Sequence, residues 1–154
     1  MDITVVAVGR IGEKSIASGI DWFQNRLKRY CRLRIIEVPD CGAPENLSPP
    51  QLEVIKDREG EGILKHIMPA HHVIVLDMRG KKMASSKMAR YIRELDLDGV
   101  QGMVFVIGGS NGLSRRVMER ADLLLSFSDM TFPHQLMRLI LLEQIYRWFK
   151  PVTL

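Results

Sequence analysis

Cysteine is scarce: Cys31 and Cys41 are the only two in 154 residues. Two thiols make no disulfide framework. The start MDITVVAVGR lacks the basic opening and the length of an export signal, so reduced thiols and a cytoplasmic location are expected. No apolar run approaches the roughly 20 residues that cross a bilayer, which argues against a membrane partner. No Cys/His spacing resembles a zinc site. His71 and His72 are adjacent, and side chains of neighbours on an extended segment diverge, so they read as a polar entry to a strand rather than metal ligands. Repeats and low-complexity tracts are missing too, and the length fits a single domain over 1–154.

The formal charge of +4 is modest and permits a phosphate-rich partner without requiring one. Basic residues gather in three places: Arg26, Lys28, Arg29, Arg32 and Arg34; Arg79, Lys81 and Lys82; Arg115 and Arg116. Each cluster alone reads equally well as a solvated face. All three beside one cofactor pocket would point to RNA.

Strand and helix patterns alternate along the chain. The apolar run 3–8 reads as a buried parallel strand. Ile16, Ile20, Phe23, Leu27 and Tyr30 follow on one helical face. Residues 33–38 read as a second strand, and 39–50 as a loop with four prolines. Ser48-Pro49-Pro50-Gln51 has the form of a capping box opening a helix over about 49–68. A third strand is expected over 72–77 with 79–82 as its exit loop, then a helix with Met88, Ala89, Ile92 and Leu95 inward. A fourth strand over 103–107 runs into Gly108-Gly109-Ser110-Asn111-Gly112, Ser114 reads as a helix N-cap, and a fifth strand covers 122–127. These elements predict an α/β sandwich with a mostly parallel five-stranded sheet. Ligands of such sheets gather at the carboxyl ends of the strands. Three unusual loops lie there: 76–82, 108–112 and 127–134.

The segment VAVGRIG imitates a dinucleotide fingerprint but has Ile11 and Lys14 where the second and third glycines belong, so Gly9 and Gly12 more simply serve a turn. The stretch Gly108–Leu113 offers bare backbone and a following helix N-terminus, suited to an anion or carboxylate, but no Gly-Lys-Ser/Thr of a phosphate loop follows. Residues 126–135 hold two phenylalanines, a methionine and several hydroxyls. That mix suits a flat, partly polar ring system, or an ordinary loop with buried aromatic anchors.

The strings VFVIGGSNGL (104–113), LSFSDMTFPHQLMR (125–138) and LLEQIYRWFK (141–150) together resemble the RlmH-type methyltransferases of the SPOUT superfamily. VAVGRIGEK, IIEVPD, APENLS and KDREGEGIL are similar to the same family, so the likeness covers residues 1–150. It implies a SPOUT fold whose C-terminal part threads a trefoil knot, a homodimer, and S-adenosyl-L-methionine as cofactor. The substrate it implies is N3 of a pseudouridine in 23S ribosomal RNA of the large subunit. Carried over residue by residue, the cofactor-binding positions are Leu76, Gly108, Phe127, Ser128, Asp129, Met130, Thr131 and Phe132. These fall in the three loops singled out above on chemical grounds.

The sulfonium makes the methyl electrophilic, so the protein must orient the target nitrogen and help it lose its proton. The base must be turned out of its stack to be reached. No residue is assigned as the proton acceptor. His134 is a candidate or a structural helix-start histidine; Arg138 faces the substrate mouth or pairs with an acidic neighbour. The last helix, roughly 133–149, is apolar almost all round, which predicts cover on several sides from a dimer partner or from a crowded monomer core. Glu143 and Arg147 are spaced as a supporting pair. One departure from the family pattern matters: members continue with a basic stretch ending in Tyr-His followed by Lys or Arg, where this sequence has Lys150-Pro151-Val152-Thr153-Leu154. The alternative expectation is therefore a dimeric S-adenosylmethionine- and RNA-binding protein with weak or no turnover. A SPOUT enzyme of transfer RNA is a further rival.

Overall fold

A computed structural model describes residues 1–42 and 46–150. Residues 43–45 of the proline-containing loop and 151–154, where the departure from the family tail falls, lie outside the described residues. Strands and helices alternate in the order β1 (Asp2–Val8), α1 (Lys14–Leu27), β2 (Arg32–Val38), α2 (Pro49–Leu64), β3 (His72–Lys82), α3 (Ser85–Leu97), β4 (Gly102–Ile107), α4 (Arg115–Arg120), β5 (Leu123–Ser126) and α5 (His134–Phe149). The five strands form one sheet in the order β2-β1-β4-β3-β5. Every pairing is parallel, so the sheet is more uniform than expected.

The centre of the sheet is buried on both faces because β1, β4 and the first half of β3 are almost continuously apolar, as a parallel sheet between helices requires, whereas the edge strand β2 keeps Arg32, Arg34 and Glu37 exposed. Side chains alternate along each strand and build two cores. Ile3, Val5, Ala7, Ile74, Phe105 and Leu125 meet Ile20 and Leu27 of α1, Met88 and Ile92 of α3, and Leu141, Leu142, Ile145 and Trp148 of α5. Val6, Val8, Val73, Val75, Val104 and Val106 meet Ile63 of α2 and Val117 of α4. The result is an α/β/α sandwich with α1, α3 and α5 on one face. α5 packs between α1 and α3 over β4, so its all-round apolarity is largely satisfied within the chain.

The signals read from sequence act where placed. Ser48 Oγ accepts from the Gln51 amide (3.4 Å) and Gln51 Oε1 from the Ser48 amide (2.9 Å), closing the capping box. Ser114 Oγ accepts from the Val117 amide. Glu143 accepts from Arg147 at 2.6 Å. His71 and His72 diverge: His71 Nδ1 accepts from the Met68 amide (2.9 Å), while His72 Nε2 lies 2.6 Å from the Tyr91 hydroxyl. Three boundaries differ. α1 stops at Leu27 and leaves Tyr30 in the following turn. α2 stops at Leu64 rather than 68, because His66 and Ile67 turn to tighter bonds three residues back, to Ile63 and Leu64. β3 continues to Lys82, because Lys81 and Lys82 pair with Leu125 and Ser126.

The imitation fingerprint is a turn fastened to α5. Gly9 has φ +92°, and its amide donates to the Val38 carbonyl (2.9 Å). Its own carbonyl accepts from Arg138 Nη2 (3.0 Å), and the Gly12 amide donates to Gln135 Oε1 (3.0 Å). Arg138 Nη1 also donates to Glu37 Oε2 at 2.6 Å, with the arginine side chain 5% exposed and the glutamate 45%. Of the two readings of Arg138, pairing with an acidic neighbour is the one realised. Glu37→Ala strands a buried guanidinium, so thermal unfolding should show a loss of roughly 2 kcal/mol, less than the roughly 3–5 kcal/mol of a fully buried pair because solvent reaches Glu37.

Candidate functional site

β4, β3 and β5 are neighbours in the sheet, and their carboxyl ends open together on a half-open cavity of about 270 Å³. Small-molecule sites span roughly 300–1,000 Å³, so this cleft is at the small end. The β3 exit contributes Leu76, Asp77 and Met78; the β4 exit contributes Ile107, Gly108, Gly109, Gly112 and Leu113. The third wall is Leu125 to Ser128 with Met130, Thr131 and Phe132, closed by His134 and Met137 of α5. Seven positions singled out from sequence thus share one cavity: Leu76, Gly108, Phe127, Ser128, Met130, Thr131 and Phe132. The eighth, Asp129, is not in its wall; exposed, it pairs with Lys82.

Glycine is required in the β4 exit for two different reasons. At Gly112 the backbone has φ +82°, which L side chains rarely adopt. At Gly108 and Gly109 there is no room: a Cβ would lie 2.9 Å from Leu113 Cγ and 3.0 Å from Val8 Cγ1 respectively. Glycine there lets the loop pack tightly against Leu113 and Val8, and the backbone of Gly108, Gly109 and Gly112 forms this wall of the cleft. The β5 exit is held by its own hydroxyls: Ser126 Oγ donates to the Ser128 carbonyl (3.1 Å), and Ser128 Oγ accepts from the Met130 amide (2.9 Å). Met78 and Met130 stay 54% and 72% exposed at the rim, leaving an apolar lip open to a ligand.

Asp77 is the one acidic side chain in the wall, and it was not among the positions expected. Its signal in the sequence was its place, directly after the apolar run of the third strand. Burial pushes its carboxyl up, but hydrogen bonds and charge from Arg79 outweigh this and hold it below the ordinary carboxylate range. The Arg79 amide and Nε both donate to Asp77 Oδ1 (2.9 and 3.0 Å).

The basic clusters divide. Arg79, Lys81 and Lys82 edge the β3 wall, and Arg115 and Arg116 are exposed just beyond the glycine loop. Arg32 pairs with Asp2 at the start of β1 and β2, the opposite end of the sheet. The cluster from Arg26 to Arg34 therefore does not join the other two around the cleft.

An all-parallel α/β/α sandwich with one cleft across three adjoining strand exits is the architecture of a cofactor-binding enzyme. A family model described as a predicted SPOUT methyltransferase matches residues 1–152, and the chain belongs to the SPOUT methyltransferase family. Its relatives include proteins named ribosomal RNA large subunit methyltransferase H. That of Carboxydothermus hydrogenoformans is 55% identical over 97% of this chain and 94% of its own length. Those of Alkaliphilus oremlandii and Clostridioides difficile are each 52% identical, over 96% and 97% of this chain and 92% and 94% of theirs.

Proposed function

We propose that the chain methylates ribosomal RNA of the large subunit with S-adenosylmethionine as donor, at N3 of a pseudouridine, and does so in the cytoplasm. The observation that carries this reading is the convergence of Leu76–Met78, Gly108–Leu113 and Phe127–Phe132 on one cleft in a SPOUT methyltransferase. When bound, the donor supplies an activated methyl group on its sulfonium. The chain's own groups fit such a ligand. Bare backbone at Gly108 and Gly109 admits close approach, Phe127 and Phe132 suit a flat ring, and Met78 and Met130 form the lip where a flipped base would enter. Arg79, Lys81, Lys82, Arg115 and Arg116 stand where phosphates of a bound RNA would pass. His134, half-buried in the wall, is the nearest candidate to accept a proton.

Two further parts of the reading come from the family resemblance. The trefoil knot is carried by membership of the SPOUT methyltransferase family. The homodimer is testable by sedimentation equilibrium, where a single 17.6 kDa species opposes it. The reading as a whole is tested by transfer of radiolabel from S-adenosylmethionine to purified large subunits. Label in a single methylated pseudouridine is expected; label only in transfer RNA, or none with donor bound, overturns it.

Asp77 is assigned the part of favouring a cationic ligand. Asp77→Asn should weaken S-adenosylmethionine by about fivefold to tenfold while leaving neutral S-adenosylhomocysteine unchanged. Because the Asp77 value is lowered, its contribution is present at neutral pH and is lost only as pH falls through that lowered value. Equal losses for both ligands in calorimetry would refute the charge role.

A further inference from the structure

α2 contributes nothing to the cavity wall, yet one strip of it is the bed on which the glycine loop lies. Lys56, Glu59 and Gly60 are spaced to share a helix face. Each meets a different part of the segment 111–114. Lys56 Cε lies 3.5 Å from the Cβ direction of Gly112. Asn111 Nδ2 donates to Glu59 Oε2 at 3.4 Å. Gly60 sits so close to Ser114 that a Cβ there would run into its Oγ. Ser114 is itself buried and caps α4, so the far end of the loop is fixed as well.

Glu59 is the unusual member of the strip. It is 2% exposed, and a buried carboxyl is costly unless its oxygens find donors. Oε2 takes two: Asn111 from the glycine loop and the Cys41 amide, at 3.0 Å, from the segment after β2. Oε1 has no partner among the described residues. A side chain of this cost, whose bonds join two separate loops, does more than fill space.

We propose that Glu59 is a positioning residue for the methyl-donor pocket, fixing the Gly108–Gly112 loop from the α2 side by bridging Asn111 and the Cys41 amide. The proposal rests on the reading of the cleft as the donor site. Burial raises the affinity of Glu59 for a proton, the Asp40 carboxyl beside it adds to this, and the hydrogen bonds from Cys41 and Asn111 oppose it. Among the described residues the charged group beside it is Asp40 from the β2 exit, and Lys56 stands one turn earlier on α2. Lys56 is itself paired with Glu53 at 3.4 Å. Arg115 of α4 is occupied by Glu119. Burial thus favours the protonated form, whereas the two donors on Oε2 favour the carboxylate, and an oxygen is there to accept from both in either state.

The test is calorimetric titration of S-adenosylmethionine into wild type, Glu59→Gln, Glu59→Ala and Asn111→Ala at one neutral pH. Amide exchange of residues 108–113 is measured on the donor-free proteins. Glu59→Ala is expected to weaken binding about tenfold and to speed exchange in the loop. Glu59→Gln keeps an oxygen that can accept from Cys41 and Asn111, so it should retain most of the wild-type affinity and loop protection. Should Glu59→Ala fail to fold, Asn111→Ala, which removes one end of the bridge, carries the comparison with Glu59→Gln. Unchanged affinity and unchanged exchange in the alanine variants overturn the proposal. A wild type that binds no donor counts against the reading of the cleft, and exchange on the donor-free protein still decides the role of Glu59.

Discussion

Gly80→Ala is expected to cost at least about 3 kcal/mol, which for a chain of this size lowers the melting temperature by roughly 10 °C. A Cβ at Gly80 would lie 2.6 Å from the Leu124 carbonyl carbon and 2.7 Å from both the Leu124 oxygen and the Leu125 nitrogen. All three are backbone atoms of β5, the edge strand paired with β3, so no side chain can swing aside. Either the 77–80 segment lifts or β5 shifts, and both carry walls of the cleft with them. Donor affinity should therefore fall together with stability. Thermal unfolding within a few degrees of wild type would show that the contact is looser than described.

Gly108→Val should instead separate binding from folding. The first added carbon meets Leu113 Cγ at 2.9 Å, and Leu113 is a flexible side chain that forms part of the cavity wall. The side chain can yield, but only by closing the cleft or displacing the loop. We expect donor affinity to drop by at least about 100-fold, roughly 2.7 kcal/mol, with a smaller change in melting temperature. Calorimetry gives the first quantity and scanning calorimetry the second. Near-normal affinity would mean that the donor does not approach the β4 exit.

The fold was largely legible because a parallel sheet writes itself as apolar runs. Residues 3–8 and 103–107 have few polar interruptions, and both are strands within a residue of the expected bounds. The β3 extension was illegible for the opposite reason: Arg79, Gly80, Lys81 and Lys82 have the composition of an exit loop, and only pairing with β5, some 45 residues on, makes 81–82 a strand. The apolarity of α5 suggested a partner subunit as readily as its own neighbours, since sequence records that a face is covered and not by what. The cleft was marked by its glycines and its aromatic loop. Asp77 carried a weaker mark. Glu59 carried none: a glutamate in the run KDREGEG reads as a solvated helix position, and its burial follows only from where Cys41 and Asn111 come to lie.

The most direct trial of the account is a crystal structure grown with S-adenosylmethionine. The donor is expected between Leu76–Met78, Gly108–Leu113 and Phe127–Phe132, with its methyl toward the Met78–Met130 lip. A donor seated elsewhere on the chain, or this cleft empty at saturating donor, would contradict it.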